Sequence, residues 1–412
     1  MIAPPRYPGV FLEAPRFSRP ITNGVPVGVA GFVGLAKQRG KKQDWPLVIG
    51  SYQEFVERLE APAWGYLADS VRGFFENGGD RCYISGVDPR ELLTPDLLLG
   101  INVPGARSGL YALDEIRDVE LLAAPDLMAV RPGESLDLDL VAAGQQQLLA
   151  FATGGGAGLA LSQGGYFCIL DAPPASSLQE VSVHRKKVAP PGPDASYGAM
   201  FYPWVQVETP KGLKLVPPSG HLMGGFNKAS RAPSSFPPGT ITTEAGPQHS
   251  PANTSLMGVS GVPVELTRAE SGSYLDAGVN ILLPWPARGI VVWGARSMST
   301  EQPQNQISVR RVLNYVERSV REGTQWAVFE PNDEKLWKKL RGEIETFLED
   351  LYNKGLVVGA TAGDAFVVKC DIESNPADVR DRGQLVAEVW VRPVRPVEMI
   401  MVRIIHRTAA GE

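Results

Sequence analysis

Ser219 and His221 stand two residues apart in Pro217-Pro-Ser-Gly-His-Leu-Met-Gly-Gly225. A serine near a histidine is the raw material of a nucleophile and its base. Acyl transfer also needs an orienting carboxylate and usually a strained turn to present the hydroxyl. No Gly-X-Ser-X-Gly elbow occurs in the chain, and Ser255, in Asn253-Thr-Ser-Leu-Met-Gly258, has no such setting either. A degenerate serine hydrolase built on Ser219 and His221 is therefore the only enzymatic reading to weigh, and its base motif is missing. The four histidines, His184, His221, His249 and His406, have no His-Glu-X-X-His, Cys-X-X-Cys or His-X-His context, so no metal site is expected. Gly154-Gly-Gly-Ala-Gly158 lacks the Gly-Lys-Ser/Thr ending of a phosphate-binding loop and continues Leu-Ala-Leu, so it reads as a connection and no cofactor is expected. Cys82, Cys168 and Cys370 each lie in an apolar, strand-like run; odd in number and widely spaced, they are expected to be buried, reduced thiols.

The 412 residues exceed one ordinary core and predict two domains. A net charge of -5 argues against a uniformly basic nucleic-acid binder. No run of about 18 apolar residues is present, so no direct membrane insertion is expected. The opening residues have prolines and no apolar leader core, and synthesis in the cytoplasm is the expectation. Glycine (44) and proline (35) are spread throughout, which predicts many turns and extended segments.

Residues 1–22 read as an extended arm, because Pro4, Pro5, Pro8, Pro15 and Pro20 block helix and Gly9-Val10-Phe11-Leu12-Glu13 is a short strand. Residues 25–35 form a buried strand. Ser51 and Glu54 form a capping box, and Trp64–Asn77 is an amphipathic helix stopped by Gly78-Gly79. Strands follow at 81–87, 119–125 and 166–172. Val141–Leu149 has helical character before the glycine-rich stretch. Tyr197–Val207 and Leu213–Pro218 read as two extended strands around a turn at Pro210-Lys211-Gly212, and 227–255 as a long surface loop.

The last third is more regular. Arg288–Arg296 is a strand, and Ser308–Glu322 a helix with Val309, Val312, Leu313, Val316 and Val320 on one face. Trp326–Pro331 reads as a strand. Asn332 caps a helix that buries Leu336, Leu340, Ile344, Phe347, Leu348 and Leu351 and stops at Gly355. Arg310, Arg311, Arg318, Arg321, Lys338, Lys339 and Arg341 read as solvated faces of these two helices. Two further strands precede Val397–His406, an extended run apolar on both faces, which an exposed edge would make an aggregation hazard.

Taken in order, several segments resemble the contractile tail-sheath family. They are Tyr7-Pro-Gly-Val-Phe-Leu-Glu13 with the strand Gly24–Gly34; Ser70-Val-Arg-Gly-Phe-Phe-Glu-Asn-Gly-Gly79 before Cys82-Tyr-Ile84; and Tyr202-Pro-Trp204 with Pro217-Pro-Ser-Gly220. The most specific run is Ala277-Gly-Val-Asn280, Gly289–Arg296, Val309-Arg-Arg311, Glu317-Arg-Ser319, Gly323-Thr-Gln-Trp326, Val328-Phe-Glu-Pro-Asn-Asp333 and Leu336-Trp337, with Pro393-Val-Arg-Pro396 before the last strand. The pattern differs from the family at 141–165, where a helix of relatives is expected to give way to a glycine-rich stretch, and at 225–255.

The resemblance implies a mixed α/β, two-domain sheath subunit: an outer, subtilisin-like α/β domain without catalysis at 23–272, an inner, tube-facing α/β domain at 273–391, and terminal arms at 1–22 and 392–412. It implies self-assembly as hexameric rings stacked in a helical sheath, with an inner tube protein, a baseplate and terminal cap proteins as partners. Contraction would drive the tube through a target envelope, in a contractile injection system or, alternatively, a phage or prophage tail. The arms would exchange strands between subunits through Gly9, Val10, Phe11, Leu12 and Glu13 and through Met399, Ile400, Met401, Val402 and Ile404. The tube-facing candidates are Arg310 and Arg311 on one helix, or Lys338, Lys339 and Arg341 on the next.

Overall fold

The structure, a computed structural model, describes residues 24–40, 43–155, 162–174, 176–189, 192–231 and 246–395. Both arm strands lie outside the described residues. Eight strands form one sheet in the order Gly289–Trp293, Val279–Trp285, Gly198–Tyr202, Phe167–Asp171, Leu121–Ala123, Ala30–Leu35, Cys82–Val87, Leu47–Ile49. The six middle strands are mutually parallel, and the two outermost are antiparallel to their neighbours. Near-continuous apolar runs such as Ala30-Gly-Phe-Val-Gly-Leu35, buried at all six positions, suit parallel strands covered on both faces.

Helices cover both faces. On one, Val71 and Phe74 of the helix Leu67–Glu76 meet Leu222, Met223 and Phe226 of the helix Ser219–Arg231 over Phe32, Phe167 and Phe201. On the other, Leu148, Leu149 and Phe151 of the helix Leu138–Thr153 lie over Val33, Leu35, Leu122 and Leu170. A separate C-terminal unit forms a smaller core, in which Leu336, Trp337, Leu340, Ile344, Phe347, Leu348 and Leu351 of the helix Glu334–Asn353 pack on Val368 and Cys370. Its two-stranded sheet pairs Phe366–Lys369 with Glu388–Val391.

Several expectations need correction. The boundary at 272/273 does not separate the two units, because Val279–Trp285 and Gly289–Trp293 are strands of the large sheet. Residues 138–153 are a full helix, with the Asp137 carboxylate accepting the N–H groups of Asp139 and Leu140 and Gly154 closing the end at φ +97°. The glycine-rich stretch thus follows the helix and does not replace it. Residues 227–231 finish the helix Ser219–Arg231 and are not loop. Gln325–Ala327 is a single 3-10 turn, not a strand. Asp333 caps the last long helix by accepting from Leu336 N at 2.9 Å, while Asn332 accepts from the Trp337 indole.

Candidate functional site

In doubly wound sheets, ligands bind beyond the carboxyl ends of the strands where the winding direction reverses. Here the reversal lies between Ala30–Leu35 and Leu121–Ala123, since the chain adds Cys82–Val87 on one side of its first strand and Leu121–Ala123 on the other. Asp126 fills that crevice. Its carboxylate accepts Leu35 N at 2.6 Å, Leu67 N at 3.1 Å and Tyr66 N. Burial pushes its pKa up to about 6 against the pull of those hydrogen bonds. The helix N-terminus that would hold an anionic ligand is occupied by the protein's own side chain.

Ser219 and His221 sit inside the protein, 0% and 1% exposed. Residues two apart on a helix do not face each other, so they form no nucleophile–base pair. The His221 ring lies against Gly73, where an added Cβ would fall 2.5 Å from it, and burial followed by the charge of Arg72 depresses its pKa to about 4. Asp171 accepts the Ser219 backbone N–H at 2.9 Å, and burial raises its pKa to about 7. Gly220 and Gly224 serve the same contact: a Cβ would come within 2.3 Å of the Ser70 backbone at the first and 2.2 Å of the Phe74 carbonyl at the second. These residues make a tight helix crossing. Among the described residues, no group of three His, Cys, Asp or Glu side chains is placed to hold a metal, and no helix is long and apolar enough to cross a membrane. The three cysteines are free and buried.

The residues that do converge lie along the helix Ile307–Gly323, the seam between the sheet unit and the C-terminal unit. Arg311, expected on a solvated face, is fully buried. Its Nε and Nη2 donate to Glu120 Oε1 and Oε2 at 2.6 and 2.9 Å, Nη2 also to Ser230 Oγ at 2.8 Å, and Nη1 to the His249 carbonyl at 2.6 Å. Glu120 accepts in addition from Gly28 N. Burial acts to raise the Glu120 pKa, but the Arg311 charge and hydrogen bonds outweigh it and hold the carboxyl below its ordinary range. One helical turn further, Asn314 donates to the Tyr166 carbonyl at 2.9 Å, and the next turn brings Arg318 to the Arg117 carbonyl at 2.6 Å. Burial lowers the Arg318 pKa. The helix's other side is apolar: Val316 is in the C-terminal core, and the Tyr315 ring lies 6.0 Å from that of Phe347.

The first and last described residues both contact this C-terminal side. Val25 N donates to Ser319 Oγ at 3.1 Å, and Gly24, at φ +58°, lies under Tyr315, whose hydroxyl an added Cβ would meet at 1.8 Å. At the other end Val394 N donates to the Leu356 carbonyl at 3.0 Å. Between them, each strand of the two-stranded sheet has only the other as its ladder partner among the described residues. Val367 and Trp390 face each other across it, both about half exposed. Val328, Phe329, Val358, Ile372 and Val386 are further exposed apolar residues of the C-terminal unit.

The tube-facing candidates separate. Arg311 belongs to the interior. Arg310 is half-buried, its guanidinium 4.4 Å from the centre of the Tyr197 ring. Lys338 and Lys339 are exposed, Lys338 pairing with Glu334 at 3.7 Å and Lys339 lying 3.8 Å over the Trp326 ring; Arg341 is half-buried beside Glu345 at 3.5 Å. Glu120 was missed in the sequence because nothing local distinguishes it: its partner lies 191 residues away.

This architecture has close counterparts. The anti-feeding prophage (AFP) helical sheath in its contracted state matches at a TM-score of 0.72 and 24% identity, over 96% of this chain and 98% of that one. The sheath complex of an extracellular contractile injection system, PVC, also contracted, matches at 0.68 and 21%, over 98% of each chain. The fold is therefore that of contractile sheath proteins. Residues 299–407 match the family described as phage tail sheath C-terminal domain, and the resemblance to the contractile tail-sheath family holds at the sequence level as well. The tail sheath protein of Vibrio phage KVP40 is 29% identical over 147 residues, 35% of this chain, and that of Enterobacteria phage T4 is 25% identical over 157 residues, 38% of this chain. These matches span about a fifth of the phage proteins' own length, 21% and 23%.

Proposed function

We propose that this chain is the structural subunit of a contractile sheath, and that it works in an injection system. The observation that carries this reading is the C-terminal unit: an open two-stranded sheet with half-exposed Val367 and Trp390, in a unit where the first described segment meets the helix Ile307–Gly323 and the last meets Leu356. An isolated two-stranded sheet is marginal in water and gains from added strands. The arm segments Gly9–Glu13 and Met399–Ile404 of neighbouring copies are the proposed additions, giving hexameric rings stacked in a helical array. Rearrangement of that array to a lower-energy lattice would drive an inner tube forward without nucleotide chemistry. The proposed partners are the tube, a baseplate and cap proteins, with assembly in the cytoplasm. The tube contact is assigned to Lys338, Lys339 and Arg341, with Arg310 as the alternative. TM-scores of 0.72 and 0.68 to the AFP and PVC sheaths, against 0.53 and 0.54 to the sheath tail proteins of Desulfitobacterium hafniense and Listeria innocua, support the injection-system reading.

Negative-stain microscopy of the purified protein tests the reading. Hollow, striated cylinders are expected. A stable monomer that forms no cylinder at any concentration or with any tube protein would overturn it.

A further inference from the structure

The loop between the two long C-terminal helices holds Phe329 in an unusual state. Its φ is +71°, a region in which a bulky L-residue is an outlier, and the residue is fully exposed. The loop is not slack. Ala327, Val328 and Glu330 donate to the carbonyls of Thr324, Gln325 and Ala327 at 3.0, 3.3 and 3.2 Å. Asn332 then locks the exit, accepting from the Trp337 indole at 2.7 Å and donating to the Gln384 carbonyl at 2.8 Å. A pinned loop that strains its backbone to keep an aromatic ring in water is a device for meeting something.

The same unit carries a matching feature. On the two-stranded sheet a hollow of about 190 Å³ is lined by Ala365, Phe366, Val367, Trp390 and Val391, with Asp364 and Arg392 at its rim. The hollow is open to solvent and its volume exceeds the roughly 150 Å³ that encloses a benzene ring, so it offers a phenyl side chain an apolar face to lie against. Phe329, being fully exposed, does not fill the hollow of its own chain. Glu330 follows the ring and is exposed, and Arg392 stands at the hollow, so the rims are opposite in charge.

We propose that Phe329 is a knob that seats in the Val367–Trp390 hollow of a second copy of this chain, with Glu330 brought beside Arg392. The proposal rests on the sheath-subunit reading. In the sheath-subunit reading the contact is heterologous: each copy offers its ring to one neighbour and its hollow to another. Such contacts make rings or open helical arrays, not closed dimers. An aromatic anchor in an apolar pocket is also the type of contact that dominates interface energy.

The test uses full-length protein and leaves the ring in place for cross-linking. Glu330→Cys and Arg392→Cys subunits, each alone and mixed, are assembled and then oxidised; the native thiols are buried. A disulfide-linked dimer is expected only in the mixture. In parallel, Phe329→Ala and Phe329→Gly subunits should melt no lower than the wild type and form at least about tenfold fewer cylinders. The contact is overturned if wild-type cylinders form but the mixture yields no dimer, if Glu330→Cys links to itself or to tube protein, or if Phe329→Ala assembles normally. Wild-type protein that never forms cylinders would instead remove the sheath reading, and this contact with it.

Discussion

Replacing Arg311 by methionine should be among the most damaging single changes in the subunit. The substitution keeps much of the side chain's length but removes four hydrogen bonds, to Glu120 Oε1 and Oε2, Ser230 Oγ and the His249 carbonyl. Among the described residues, it leaves the buried Glu120 carboxylate with only the Gly28 N–H as a hydrogen-bond donor. Breaking one side of a buried pair costs about 3–5 kcal/mol, most of it the stranded charge. The pH dependence has a definite sign. In the wild type the Glu120 pKa is held down, so the pair contributes stability above the ordinary carboxylate range and loses it as pH falls through the lowered pKa. In Arg311→Met, burial is less opposed and raises the Glu120 pKa, so protonation relieves the defect. The penalty should therefore be largest near pH 7 and shrink toward pH 4. Glu120→Leu combined with Arg311→Met should recover at least about 2 kcal/mol of the single variant's loss, because apolar replacement of a whole buried pair is often neutral. The assay is urea denaturation of the unassembled subunit at pH 7 and pH 4, followed by circular dichroism. A loss below about 1 kcal/mol at pH 7, or a double variant no better than the single, would refute the reasoning.

Gly24→Ala should destabilise by about 1–3 kcal/mol, since its Cβ would meet the Tyr315 hydroxyl at 1.8 Å and its φ is +58°; an unchanged melting temperature would count against the N-terminal anchor. Asp171 has a folded pKa of about 7, above the value of about 4 for an unfolded aspartate, so its neutral form stabilises at low pH and that contribution is lost as pH rises toward 7; Asp171→Asn should flatten the fall in stability between pH 4 and pH 8. Deleting residues 1–20 should leave a folded subunit that builds no cylinders, and Ile400→Pro should act likewise with the subunit's melting temperature nearly unchanged; normal cylinders from either would remove the arm proposal. Reversing the charges of Lys338, Lys339 and Arg341 should let sheath form without enclosing tube, whereas reversing Arg310 should not; unchanged enclosure after both would end the basic-helix proposal.

What the sequence made legible follows from where its signals are local. The strands Ala30–Leu35, Cys82–Val87 and Phe167–Asp171 are short apolar runs bounded by turn residues, and they form as read. The helix Glu334–Asn353 repeats its apolar face over 20 residues, long enough for periodicity to decide. The helix Ser219–Arg231 was hidden because Gly220, Gly224 and Gly225 lower helix propensity, yet the first two are required by contact with a helix far earlier in the chain. Arg311 and Arg318 look solvent-facing in the sequence for a related reason. A charge on a helix is normally exposed, and only the fold brings Glu120 and the Arg117 carbonyl to meet them. The run Trp326–Pro331 has strand composition, but Phe329 at positive φ breaks it.

The helix Ile307–Gly323 has two unlike surfaces. Toward the sheet it is bolted by directional bonds at Arg311, Asn314 and Arg318, each needing its partner within a few tenths of an ångström. Toward the C-terminal unit it is held by Tyr315, Val316 and Val320 against apolar side chains, a contact without preferred direction. Under shear the bolted side resists until its bonds fail together, while the apolar side tolerates small slips at little cost. A force applied between the two units would thus concentrate its displacement on the Tyr315 face, and the helix would travel with the sheet as one stiff part.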